Sequence, residues 1–266
     1  MRVSILIGAA GLALAGSAAA APRVMSLDQC SDQYVLALSP RDAIVGLSPR
    51  ARARDSYLRD RAVGLPERRA SAEAVLAARP DVVVRYWGGD ERLAQVLQRR
   101  GVRVVRIEEA TDFSGVRDNV RRVAAALGER EAGQRIVTKM DTDLAVAHGA
   151  WSGRSALYLT PSGFTAGEGT LIKAVLEAAG LRNAATRPGY QPVSLEVLVM
   201  NPPNALVLGF FDAFATAMVR WGPGRHRVLQ PLIREKAIGS LSASVAGCPG
   251  WFAAEGARQL AEAAPR

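Results

Sequence analysis

Histidine is nearly missing from this chain. Only His148 and His226 occur in 266 residues, which excludes a transition-metal centre built on several imidazoles. Two cysteines, Cys30 and Cys248, offer no metal-ligand spacing of the Cys/His kind. Neither histidine stands with a Ser or Cys nucleophile in a recognised motif, so triad-type catalysis has no footing in the sequence. The formal charge is +9, but the arginines are scattered and no nucleic-acid-binding motif accompanies them. The one long apolar run, Val3 to Ala15, is too short for a bilayer span and lacks a stop-transfer flank.

What is present points outward from the cell interior. Arg2 supplies a positive start, the apolar run follows, and Ala18-Ala19-Ala20 gives a small-residue cleavage pattern. Residues 1–20 therefore read as a secretory signal peptide, cleaved before Ala21. Leu14-Ala15-Gly16-Ser17 is close to a lipoprotein box, but Ser replaces the cysteine that would carry the lipid. The expected mature protein is exported and not lipid-anchored. In that setting Cys30 and Cys248 fit either one disulfide or two separate buried thiols. A bridge would close a very long loop. With 49% hydrophobic and 22% charged residues, the chain can bury a full core.

Segment 129–148 organises the rest. Gly128 and Gly149 bound it, and Ala132, Ile136, Met140 and Leu144 recur every four residues, with Val137 and Ala147 widening the stripe. This predicts an amphipathic helix roughly 30 Å long, about the width of a small domain. A repeat brackets it. Ser71-Ala72-Glu73 to Pro80-Asp81 and the run Val82–Val84 returns as Ser194-Leu195-Glu196 to Pro203-Asn204 and the run Ala205–Leu208, at a constant offset of 123 positions. Each copy reads as a short helix with a Ser cap and a Glu in its first turn, then a Pro and a buried strand. The expected architecture is α/β: two Rossmann-like lobes with parallel sheets, residues 21–128 and 149–266, joined by one long backbone helix at 129–148.

Along the first lobe, strands are expected at 23–27, 43–47, 82–84 and 102–107, with helices at 32–38, 91–100 and 114–127. Residues 28–31, 49–54 and 85–90 are expected as loops. Along the second, strands are expected at 155–159, 207–209 and 238–242, helices at 170–179 and 251–263, and a glycine-containing loop at 161–169. Tyr190 is expected in a loop, and residues 219–233 as loop and short helix.

Ligands of doubly wound sheets gather at the carboxyl ends of strands. Gln29, Arg50, Tyr86, Trp87, Phe164, Thr165, Tyr190, Phe210 and Trp251 lie at or near such ends and are the candidate cleft residues. Aromatic faces suit bulky organic ligands, and Arg forks suit anions. Arg50, Arg52, Arg54 and Arg85 would make the first-lobe rim positive, which favours an anionic ligand. The 163–169 loop could present N–H groups to an anion at the Thr170 helix start. An enzyme remains an alternative if Asp28, Asp90 and Glu168 converge in a cleft.

Arg23-Val24-Met25-Ser26-Leu27, Cys30 with Asp32-Gln33, Pro80-Asp81-Val82-Val83-Val84, Gly163-Phe164-Thr165-Ala166-Gly167 and Cys248-Pro249-Gly250, in this order and spacing, resemble the periplasmic binding proteins that serve ABC importers of cobalamin, ferric siderophores and haem. The resemblance implies a periplasmic monomer that clamps a small metal chelate between two lobes. It would undergo only small closure, because the connecting helix is rigid. It further implies that Glu73 and Glu196 dock on an ABC permease in the inner membrane. Tyr86 (or Trp87) and Tyr190 fall where the cobalamin-binding member has cleft tryptophans. No catalytic residue, resident metal, cofactor or nucleic-acid partner is implied. For a haem-binding member, Tyr86 or Tyr190 would be the axial-ligand candidates.

Overall fold

A computed structural model describes residues 21–212 and 222–265. Strand β1 (Val24–Ser26) is buried throughout and leads into helix α1 (Gln29–Leu38). The Asp28 carboxylate accepts the Ser31 N–H at 2.8 Å while Ser31 Oγ accepts the Asp28 N–H, a reciprocal capping box. Residues 28–31, expected as a loop, are thus the cap and first turn of the helix. Short polar side chains signal a helix start as readily as a loop.

The first lobe continues with β2 (Ile44–Gly46), α2 (Ala72–Ala78), β3 (Val82–Tyr86), α3 (Glu91–Arg99), β4 (Arg103–Ile107) and α4 (Phe113–Leu127). Its parallel sheet has the order β2-β1-β3-β4. Strand β3 runs on through Arg85 and Tyr86, which pair with Arg106 and Ile107 of β4; both were expected in a loop. Pairing with a neighbour, invisible in the local sequence, extends the strand.

Helix α4 ends at Gly128 with φ 79°, and the chain turns directly into α5 (Arg130–Ala147). The second lobe contains β5 (Ser155–Leu159), β6 (Phe164–Ala166), α6 (Leu171–Ala178), β7 (Arg182–Asn183), β8 (Tyr190–Pro192), α7 (Leu195–Met200), β9 (Leu206–Gly209), α8 (Gln230–Lys236), β10 (Ala237–Leu241), α9 (Ala243–Ala246) and α10 (Ala253–Glu262). Its parallel sheet has the order β10-β9-β5-β7, and β6 pairs with β8 in a separate antiparallel ribbon. That ribbon corrects the expectation of plain loops at 161–169 and around Tyr190. The expected loop and short helix at 219–233 fall partly outside the described residues; α8 begins later, at Gln230.

The internal repeat is structural. Helices α2 and α7 are both capped by serine, Ser71 Oγ accepting from Ala74 N and Ser194 Oγ from Val197 N. Each helix is followed by a buried strand, β3 or β9, in its own sheet.

Helix α5 packs against α4 of the first lobe and α10 near the end of the second. One continuous core, from Val24 and Tyr34 through Val137 and Met140 to Trp251 and Leu260, runs across both lobes. The buried spine of α5 is Gly133, Val137, Met140, Asp143 and Ala147. Val137, Met140 and Ala147 of the predicted stripe are in this spine, whereas Ala132, Ile136 and Leu144 are only half-buried. A helix gripped from two sides buries small and even charged side chains. Asp143 is held by Lys139 Nζ at 2.6 Å and Arg258 Nε at 3.4 Å. No described helix is long and apolar enough to cross a membrane.

Candidate ligand-binding cleft

The two lobes meet again opposite α5, across a cavity of about 230 Å³. Tyr86, Glu109 and Ala110 line it from the first lobe. From the second come Gly169 to Ile172, Gly189, Tyr190, and Ala246 to Pro249. Tyr86 ends β3, Glu109 follows β4, residues 169–172 begin α6, and Ala246 to Pro249 follow β10 and α9. The carboxyl ends of strands from both sheets therefore supply the walls, as doubly wound topology requires. A larger groove of about 490 Å³ lies on the second lobe alone, along β8 and α7.

Three side chains form the polar feature of the cavity. The Tyr86 hydroxyl and the Trp87 indole N–H both donate to Glu109 Oε2. Tyr86 and Trp87 meet edge to face with ring centroids 6.1 Å apart. Tyr190 stands on the opposite lobe. Burial, then the Glu109 hydrogen bond and charge, raise the pKa of Tyr86 above the usual phenol range. Desolvation, then the Glu109 charge, raise that of Tyr190 as well, although the residue as a whole is 57% exposed. Asp28 fixes the first of these tyrosines: its second carboxylate oxygen accepts the Tyr86 N–H at 2.8 Å, so the cap of α1 also anchors the end of β3.

The floor is tied down. Cys30 at the start of α1 is bonded to Cys248 in the cavity wall, with Cα atoms 5.4 Å apart and a sequence separation of 218. Tyr34 Oη donates to the Pro249 carbonyl at 2.6 Å, and Tyr57 Oη donates to Glu255 at 2.6 Å. Tyr57 also stacks on Phe252 with centroids 4.4 Å apart. Next to Cys30, the fully buried Asp32 carboxylate accepts from Ser26 Oγ, Ser48 N–H at 2.9 Å and Ser48 Oγ at 2.6 Å. Burial outweighs these hydrogen bonds and raises its pKa to about 6.

Of the expected cleft residues, the cavity wall includes Tyr86 and Tyr190. Trp87 stands beside Tyr86 and shares its partner Glu109. Trp251 is 9% exposed and packs edge-on against Tyr34 and Phe252 in the shared core. Thr165 is buried and lines the outer groove of the second lobe. Phe164 is exposed on β6, and Phe210 follows β9 with its ring beneath Gly247 of the cavity wall. Gln29 Oε1 accepts from Arg50 Nε at 2.7 Å, and Arg50 also pairs with Asp55 at 2.5 Å.

None of the four expected rim arginines, Arg50, Arg52, Arg54 and Arg85, lines the cavity. Arg52 pairs with Glu67 at 2.5 Å. Arg85, 2% exposed, turns away to Glu91 at 2.6 Å and to the carbonyls of Trp87 and Gly89. An even spacing of side chains along β3 places Arg85 and Tyr86 on opposite faces, so only one can meet the cleft. The three carboxylates considered for catalysis do not converge either. Asp28 caps α1, Asp90 caps α3, and Glu168 pairs with Lys173 at 3.3 Å. Thr170 caps α6 as expected, accepting from Lys173 N. Glu109 was missed, because Glu108-Glu109 after a strand reads as solvated loop. Glu73 and Glu196 are both exposed, each in the first turn of its repeat helix.

Two α/β lobes joined by one long helix, with a cavity walled by both, define a two-lobe substrate-binding protein. The chain belongs to the periplasmic binding protein family, which it matches over residues 24–215. It is 30% identical to a cobalamin-binding protein of Halobacterium salinarum over 216 residues, 74% of this chain and 57% of that one. It is 26% identical to the vitamin B12-binding protein of Salmonella typhimurium over 145 residues, 51% of this chain and 54% of that one. The chain thus spans a little over half the length of these curated relatives. Among solved structures, a periplasmic haem-binding protein from Roseiflexus sp. RS-1 aligns with a TM-score of 0.70 at 21% identity, over 91% of this chain and 97% of the other. The vitamin B12-binding protein of Vibrio cholerae aligns with a TM-score of 0.64 at 17% identity, over 91% and 96%.

Proposed function

We propose that this protein captures a metal chelate of the cobalamin or ferric siderophore type between its lobes in the periplasm and delivers it to an ABC permease of the inner membrane. The observation that carries this reading is the pair Tyr86 and Tyr190, one from each lobe, on one cavity. Aromatic faces from two bodies grip a broad organic ligand without bonding to it. The cobalamin type is favoured, because the curated relatives at 30% and 26% identity are both named for it. A haem ligand would instead use the Tyr86 or Tyr190 oxygen as its axial ligand. Capture requires no bond-making, and the carboxylates first considered for catalysis are occupied elsewhere. Glu73 and Glu196, exposed on matched helices of the two lobes, would dock on basic residues of the permease.

Titration with cyanocobalamin, ferrichrome and haem, followed by intrinsic fluorescence, tests the capture. We expect one corrinoid or siderophore to bind, and Tyr86→Ala and Tyr190→Ala each to weaken it about tenfold, the scale of losing one aromatic contact. Failure of all three ligands, or binding indifferent to both substitutions, overturns the reading. For docking, Glu73→Ala with Glu196→Ala should abolish chelate uptake by whole cells at unchanged affinity. Uptake at the wild-type rate would remove both residues from the permease interface.

A further inference from the structure

We infer that Glu109 is the specificity-determining residue of the cleft: a charge filter that admits neutral or cationic chelates and rejects anionic ones. The inference rests on the capture reading above and narrows its ligand class. Glu109 is the one ionisable acid or base of full charge among the described residues lining the cavity. Its Oε2 receives the Tyr86 hydroxyl and the Trp87 indole. Two hydrogen bonds on one oxygen hold the carboxylate in place at the entrance rather than leaving it free to swing away.

Nearby charges do not cancel it. Glu108 is paired with Arg106 at 2.8 Å and Arg122 at 3.7 Å. Lys173 of α6 is shared between Glu168 at 3.3 Å and Glu177 at 2.8 Å. Of the four rim arginines, Arg50, Arg52 and Arg85 are paired with Asp55, Glu67 and Glu91, and neither these nor Arg54 are among the residues that line the cavity. The first turn of α6 faces the same cavity and contributes about half a positive charge at most. Thr170 already satisfies one of its N–H groups. A full negative charge on one wall against a partly satisfied half charge on the other leaves a negative cavity. Among the described residues that line the cavity, a ligand carboxylate would lose its water without finding a cation. A ligand rich in amide N–H groups would instead find the free oxygen of Glu109 and the Tyr190 hydroxyl.

Two charge series on fixed scaffolds test this. One is aquocobalamin (cationic), cyanocobalamin (neutral) and a cyanocobalamin monocarboxylate (anionic). The other is ferrioxamine B (cationic), N-acetylated ferrioxamine B (neutral) and N-succinylated ferrioxamine B (anionic). Affinities are measured by calorimetry for wild type, Glu109→Gln and Glu109→Asp. In wild type the anionic member should bind weakest. Glu109→Gln should narrow the cationic-to-anionic gap by about tenfold, the effect of one partly screened charge, and Glu109→Asp should retain most of it. Added salt should narrow the wild-type gap and leave that of Glu109→Gln unchanged. A purely structural role for Glu109 predicts equal loss for all members, so a gap unchanged by Glu109→Gln overturns the filter while capture stands. If neither series binds wild type, capture fails and the filter with it.

Discussion

Replacing Gly133 with alanine is the sharpest test of the strut between the lobes. On an isolated helix the change would help: alanine is favoured over glycine by about 1 kcal/mol in a helix interior. Here the added Cβ would stand 2.5 Å from the Ala124 Cβ on α4 and 3.7 Å from the Val120 carbonyl. Methyl carbons in contact prefer roughly 3.5–4 Å, so α4 and α5 must part by about 1 Å along a buried face. Neither partner is the tip of a flexible side chain that could turn aside. Overpacking of this kind costs about 1–3 kcal/mol, which cancels the helix gain or exceeds it. Ala124→Gly restores the space at its own cost in propensity. A urea-unfolding cycle over Gly133→Ala, Ala124→Gly and the double variant should therefore show a favourable coupling of about 1–3 kcal/mol, since the two sites touch. A Gly133→Ala protein that is simply more stable by about 1 kcal/mol, with no coupling to Ala124, would refute close packing of α5 on the first lobe.

Two further outcomes follow from the floor of the cleft. Replacing Cys30 and Cys248 with serine opens a loop spanning 218 residues, which in the chain-entropy account costs about 5 kcal/mol; a loss under about 1 kcal/mol in urea unfolding would show that the α5 and α10 packing already sets the ends of the chain. For Asp32, the folded pKa near 6 lies above the ordinary carboxylate value of 3.8, so the folded state binds the extra proton between these values. Stability should fall as pH rises from about 4 to about 6, by roughly 1–3 kcal/mol from this group, and Asp32→Asn should flatten that segment of the pH profile. A slope unchanged in Asp32→Asn would assign the effect to another group.

Sequence alone determined what depends on near neighbours. The hydroxyl caps at Ser71, Thr170 and Ser194, the glycine stop after α4 and the repeat at a 123-residue offset are local hydrogen-bond and periodicity signals. Two lobes, two parallel sheets and a connecting helix follow from them. Tyr86 was also legible, because strand ends in this topology point toward a cleft, and Tyr190 through the family resemblance. Which side of a strand faces that cleft was decided only by tertiary structure. Arg85 and Tyr86 are adjacent, yet strand alternation buries the cation and presents the phenol. Trp251 was read as a ligand contact because an exposed and a buried indole look the same in sequence. Asp143 and Gly133 entered the spine of α5 because two helices close on it at once, a condition no single-helix pattern records. Glu109 became central only when Tyr86, Trp87 and the opposite lobe converged on a residue whose own neighbours read as solvated loop. The electrostatics of the cleft are set by contacts across the fold, and those depend on distances in space rather than along the chain.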